Sequence, residues 1–202
     1  MLEQLDAILP AVFGFATVLY LWLAVRTSRE STQPSFNTVS YFLFLIGMMT
    51  AGSAFAYGAT DPYIYGIGRT LTFFSAGFIP VALYSIYRQF TVGKAHPIIM
   101  ILLSIVPAIS TLLAMTNELH NLIWAAVEVD GEIRFTEPDE HFWFQRVHAP
   151  FAYGLFGFSL IAMAGRLPTI ARAHRRKIIL LLTCAVLPFG VSVANTVLGF
   201  GP

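Results

Sequence analysis

Seven polar or aromatic residues stand inside or at the edges of long apolar runs, where polar groups are costly: Arg69, Asn117, His120, Trp124, Arg146, His148 and Asn195. An ionisable side chain in such a setting faces a cavity or a partner, because hydrocarbon solvates charge poorly. Asn117, His120, Asn121 and Trp124 recur at i, i+3, i+4 and i+7, a spacing that predicts one face of a helix continuing past Thr116. Arg69 lies about two turns beyond Asp61 and could meet a carboxylate, helix-end carbonyls or an anionic ligand. Arg146 and His148 fall in the first turns of a later run, with His148 directly before Ala149-Pro150, where a bend is expected. Asn195 shares a stripe with Pro188, Ser192 and Gly199. Together these groups suit recognition of a small amphiphilic or anionic molecule by charge, hydrogen bonds and an aromatic face. Structural readings compete with this one. An interfacial Trp anchors a helix, Arg146 can snorkel to a nearby interface, a lone His148 can be a satisfied core residue, and the Asn195 stripe can be a packing seam.

The elements that position these residues are six apolar stretches, at about 5–25, 37–59, 62–87, 97–116, 142–164 and 178–200, which fill most of the 202-residue chain. A hydrocarbon core ~30 Å thick needs about 20 helical residues, so each can cross it. Hydrophobic residues make up 56% of the chain and charged residues 11%, against about 25% charged in an ordinary soluble domain. The expected fold is therefore an all-α integral membrane protein: one domain over residues 1–202, a bundle of six transmembrane helices. In Val127–Phe135 apolar and polar residues alternate on both sides of Asp130-Gly131, which predicts a short extracytoplasmic β-hairpin between the fourth and fifth helices, lying over the outer mouth.

Charge distribution sets the expected orientation. Arg26 and Arg29 follow the first stretch, Arg88 and Lys94 the third, and Arg166, Arg172, Arg175, Arg176 and Lys177 the fifth. The opposite connections hold Asp61 and the acidic run from Glu128 to Glu140. The positive-inside rule places the basic loops in the cytoplasm and the N-terminus outside, giving a multi-pass protein of the inner cell membrane. The segment Met1–Asp6 has acidic residues but no basic ones, so the first stretch reads as a retained helix and not a cleaved signal. Helices 2 to 6 are punctuated by Gly or Pro, which membrane helices tolerate when neighbours satisfy the freed carbonyls.

Several phrases resemble a known domain. They are Phe78-Ile-Pro80-Val-Ala-Leu-Tyr84, Thr116-Asn117-Glu-Leu-His120-Asn-Leu-Ile-Trp124, Phe142-Trp143-Phe-Gln-Arg-Val-His148, and Arg175-Arg176-Lys-Ile-Ile-Leu-Leu-Leu followed by Leu187-Pro188 and Ala194-Asn195. In order and spacing they are similar to the seven-helix N-terminal sensor region of bacterial and archaeal histidine kinases, also found ahead of diguanylate cyclases. The resemblance implies a sensory input domain that passes a signal through its last helix to a cytoplasmic kinase or cyclase. It also marks Pro80, Asn117, His120, Trp124, Pro188 and Asn195 as motif positions. The family's seventh helix and effector fall outside the six stretches, so no catalytic activity is expected of these residues, and no cofactor.

Other classes fare less well. The chain is too apolar and too poor in basic runs to bind nucleic acid. It contains no HExxH or GxSxG motif, which removes the usual signatures of intramembrane hydrolysis. The single Cys184 cannot form an internal disulfide. The alternative with most support is a b-type haem protein passing electrons, with His120 and His148 near the outer face and His96 and His174 near the inner. Expected partners are the lipid bilayer and an unidentified small ligand, and a homodimer is an admissible assembly.

Overall fold

The structure, a computed structural model, describes residues 2–30, 34–91, 93, 95–129, 132–136 and 143–169, with positions 175, 178, 179 and 183. For residues 2–7, 30, 34–36, 125–129, 132–136, 145 and 169 it describes the backbone alone. Helices α1 (Leu2–Glu30), α2 (Pro34–Gly58), α3 (Pro62–Thr91) and α4 (Pro97–Met115) come first, followed by the single turn α5 (Asn117–His120). Strands β1 (Ala125–Val129) and β2 (Glu132–Thr136) pair antiparallel, with Val129 opposite Glu132. Asp130, Gly131, and the side chains that would seat this ribbon over the bundle lie outside the described residues. A turn of π-helix, Phe144–His148, then leads into α6 (Ala149–Arg166). Five described helices are long and apolar enough to cross a membrane. The expected sixth, over 178–200, lies outside the described residues apart from Ile178, Ile179 and Thr183, as do Pro188 and Asn195.

Local chemistry explains where helices start. Asp61 Oδ1 accepts the backbone N–H groups of Tyr63 (2.8 Å) and Ile64 (3.2 Å), and Pro62 fills a first-turn position that needs no donor. His96 Nδ1 caps α4 in the same way, accepting from Ile98 N at 3.3 Å ahead of Pro97. Within the apolar runs, the hydroxyls of Thr17, Ser53, Thr72, Ser75 and Ser159 donate to carbonyls one turn back. That satisfies them without water.

Helix α3 is the centre of the bundle, packing against α2, α4 and α6, whereas α1 packs on α2. Half of the apolar span of α3 is buried, against 6% for α1. The larger core joins Phe42 and Leu45 of α2, Ile79, Leu83 and Ile86 of α3, and Phe156, Leu160 and Met163 of α6. At the other end of α3, Phe73 meets Ala114, Ile123 and Trp124.

Small residues set the closest crossing. A Cβ added at Gly68 would sit 2.7 Å from Ala56 N and from Gly52 O, and one at Gly52 would sit 2.6 Å from Gly68 O. These neighbours are backbone and cannot rotate away, so the α2–α3 approach depends on both glycines. Gly68→Ala is expected to cost about 1–3 kcal/mol of stability, read as a fall in melting temperature in detergent. Gly154→Ala, whose Cβ would meet nothing within 4 Å, is expected to leave it unchanged or raised.

Candidate functional site

The site is built around one buried hydroxyl, Ser110 Oγ of α4. It lies 2.9 Å from Trp143 Nε1, 2.8 Å from His148 Nδ1 and 2.9 Å from the carbonyl of Val106. A hydroxyl offers one proton and two lone pairs. The indole can only donate and the carbonyl can only accept, so the hydroxyl proton goes to Val106. Nδ1 of His148 must then carry a proton and donate to the second lone pair. Every capacity of the hydroxyl is used, and α4 is tied to the segment that opens α6.

That segment is π-helical for a local reason. Pro150 has no N–H, so the carbonyl of Arg146 has no donor four residues on, and the proline ring crowds it. The wider π turn, in which Ala149 N–H bonds back to Phe144 O, takes up the extra residue. The bend expected before Ala149-Pro150 is thus a change of helical register. Gly77 of α3 completes the junction: a Cβ there would lie 2.9 Å from Pro107 Cβ and 3.4 Å from His148 Cε1.

From this junction an aromatic column runs along α3. Tyr65, Arg69 and Phe73, spaced i, i+4 and i+8, share one face. The guanidinium carbon of Arg69 lies 5.4 Å from the Phe73 ring centroid and 5.9 Å from that of Tyr65, so the cation is braced between two π faces. Phe73 meets Phe144 (5.5 Å, 78°) and His148 (5.6 Å, 62°) edge-on, and Phe144 stacks on His148 (5.6 Å, 18°). At the far end Trp124 meets Tyr65 edge-on at 6.1 Å.

Trp124 is presented by Asn117. The buried amide of Asn117 donates from Nδ2 to Trp124 O (2.8 Å), while Oδ1 accepts the N–H groups of Ile123 (2.8 Å) and Trp124 (3.3 Å). The helix expected to continue to Trp124 does not: it breaks at Thr116, resumes for one turn, and stops at Asn121, which is left-handed at φ 48°. The amide of Asn117 offers the backbone a better partner than another helical turn would. His120 Nδ1 accepts Leu122 N–H at 3.0 Å, and its Nε2 faces Thr116 Oγ1 at 3.2 Å. Asn117 and His120 therefore hold the loop, and the shared helical face predicted for them is replaced by a capped turn.

Of the residues singled out from sequence, the column links Arg69, Trp124 and His148, with Asn117 and His120 shaping the Trp124 loop. Arg146 lies on the exposed side of the π turn. Pro80 is buried in α3, and Asn195 is outside the described residues. Sequence reasoning passed over Ser110, Trp143, Tyr65, Phe73 and Phe144. A usable signal existed: an indole N–H in an apolar run needs an acceptor, and the fourth run offers few beyond Ser104, Ser110 and Thr111.

Comparison with known families decides what this membrane bundle belongs to. The family model for the N-terminal 7TM region of histidine kinase matches residues 7–202. The chain belongs to that family. No individual curated protein and no solved structure matched it. The chain is thus a membrane-embedded, multi-pass sensory region, and this region of the histidine kinases is not itself catalytic.

Two outcomes follow for this sensory region. Ser110→Ala leaves two donors, Trp143 Nε1–H and His148 Nδ1–H, without their shared acceptor and is expected to cost about 1–3 kcal/mol. Denaturant unfolding in mixed micelles measures it against Ser104→Ala, whose hydroxyl donates within its own helix to Met100 O and whose loss is expected to be nearly neutral. Asn117→Ala strips partners from two backbone N–H groups and one carbonyl. It is expected to raise the acrylamide-accessible fraction of tryptophan emission, whereas His120→Ala, at a half-buried position, changes it less.

Proposed function

We propose that this chain is the input region of a membrane receptor and that it binds a small amphiphilic, anionic molecule where Trp124, Tyr65 and Arg69 come together. The observation that carries this reading is the braced guanidinium: Arg69 sits between Tyr65 and Phe73, with Trp124 one ring further out. A carboxylate or phosphate would meet the cation while an apolar tail lies along the rings. In this reading the N-terminus and the Trp124 end face the outside of the inner membrane, as the basic connections after α1 and α3 support. The ribbon of β1 and β2 lies over the mouth of the site.

Signalling in this reading is a redistribution between two packings. Contact with Arg69 shifts Phe73, Phe73 bears on Phe144 and His148, and the π turn passes the displacement into α6. A ligand can move that balance only by its difference in affinity for the two states. The haem alternative gains no support from the geometry. Both ring nitrogens of His120 are engaged, by Leu122 and Thr116, so the outer pair of that reading lacks one of its two ligands.

The test uses the domain in nanodiscs of zwitterionic lipid, titrated with aliphatic carboxylates and with alcohols of the same chain length. The carboxylates are expected to raise the melting temperature and alter Trp124 emission where the alcohols do not. Arg69→Gln is expected to weaken carboxylate affinity about tenfold or more, as loss of a charge-assisted contact requires. Equal responses to acid and alcohol, or an unchanged affinity in Arg69→Gln, would sink the proposal.

A further inference from the structure

Helix α1 carries a second constellation, remote from the column. Trp22, Val25, Arg26 and Arg29 line an open recess of about 250 Å³ near its C-terminal end. The guanidinium carbon of Arg26 lies 5.3 Å from the Trp22 ring centroid, so this cation is held at the level of the indole. Trp22 and Val25 are both about half exposed.

The face of α1 that bears this recess is not the face that packs on the bundle. Thr17 bonds Thr50 across α2, Ala24 O accepts from Ser40, and Leu21 fills the space at Gly47. At 3.6 residues per turn, Trp22, Val25, Arg26 and Arg29 centre roughly 120° away from that contact face. Phe15 and Val18, both strongly exposed, fall on the recess side. The result is one continuous strip, Phe15–Val18–Trp22–Val25, ending in two arginines three residues apart.

The strip has the dimensions of one lipid. From Phe15 to Arg26 the helix rises roughly 16 Å, about the hydrocarbon depth of a single leaflet. An acyl chain along the apolar strip would bring its phosphate to the recess, where two guanidinia can grip phosphate oxygens in fork geometry. The geometry points to a binding site for one anionic phospholipid on the outward face of α1, its phosphate held by Arg26 and Arg29 and its chain laid along Trp22, Val18 and Phe15. A free phosphate would use the arginines alone and leave the strip without a role, which is why a lipid is the favoured source of the anion. The site stands independently of the ligand reading at Arg69.

Native mass spectrometry tests it. The protein is equilibrated in mixed micelles with equal amounts of phosphatidylglycerol and phosphatidylcholine, and the retained lipid is counted. The wild type is expected to retain one phosphatidylglycerol in preference, and the double variant Arg26→Gln/Arg29→Gln to lose that preference by about thirtyfold, near fivefold per arginine. Trp22→Ala is expected to weaken retention without abolishing it. A melting temperature equal to wild type in the double variant confirms that the exposed face was altered without unfolding. Undiminished retention in the double variant would overturn the proposal. So would displacement of the lipid by inorganic phosphate at constant ionic strength, which would mark an ion site.

Discussion

The arrangement of the site hangs on the fully committed hydroxyl of Ser110. In water, each of its three partners could exchange it for solvent at small net cost. Inside an apolar bundle that alternative is gone, and an unmade bond costs the whole desolvation of the group. Because the one proton and both lone pairs are taken, the directions to Val106, Trp143 and His148 are all set at once. That places the π turn against α4. The π turn places the rings of Phe144 and His148, those rings support Phe73, and Phe73 is half of the platform under Arg69. A polar contact at one crossing thus positions a cation roughly two turns away on another helix.

Rotation of α3 is the second constraint, and it is set by size. Gly68 meets the backbone of α2, and Gly77 lies against Pro107 and His148. Contacts this close at two heights leave α3 little freedom to turn about its axis. Arg69 follows Gly68 directly, so the crossing that locks the helix also decides that the guanidinium lies among Tyr65 and Phe73. By contrast, α1 and α4 expose Ile8, Val12, Phe15, Ile98, Ile101, Leu102 and Leu112. On a soluble protein so much bare apolar surface would be a liability; in a bilayer it is ordinary lipid-facing surface.

Helix positions were legible because a bilayer demands continuous apolar runs. The stretch read as 37–59 is helix from Pro34 to Gly58, that at 62–87 runs from Pro62 to Thr91, and that at 97–116 runs from Pro97 to Met115. The family was legible too, since its motif phrases combine position with residue type. What sequence did not reveal were outcomes of competition between hydrogen bonds. Asn117 and His120 match a helical face in spacing, yet the Asn117 amide captures the backbone of Ile123 and Trp124 and ends the helix. The π turn has its local cause in Pro150, but its seat against α4 shows only once Ser110 is seen to take Trp143 and His148 together. Tyr65 and Phe73 were not singled out, because their role depends on the cation between them.

The placement of the π turn bears on how a site at the Trp124 end could act on the opposite half of the bundle. Phe144 and His148 are its first and last residues, in contact with the Phe73 end of the column; beyond it α6 contributes Phe156, Leu160 and Met163 to the core shared with Leu83 and Ile86. A close-packed core of this kind does not deform smoothly, and it responds to stress by moving between discrete packings. A π turn is a natural place for such a step, because losing or gaining its extra residue turns everything beyond it by about 100°. Pro150 biases the step: in an α register the carbonyl of Arg146 would face a residue with no N–H, so the π form is favoured at rest. The bias is of the order of one hydrogen bond, about 1 kcal/mol. In the proposed reading, a ligand that strengthens or breaks a single contact at Arg69 therefore has enough differential energy to change the population of the two forms severalfold.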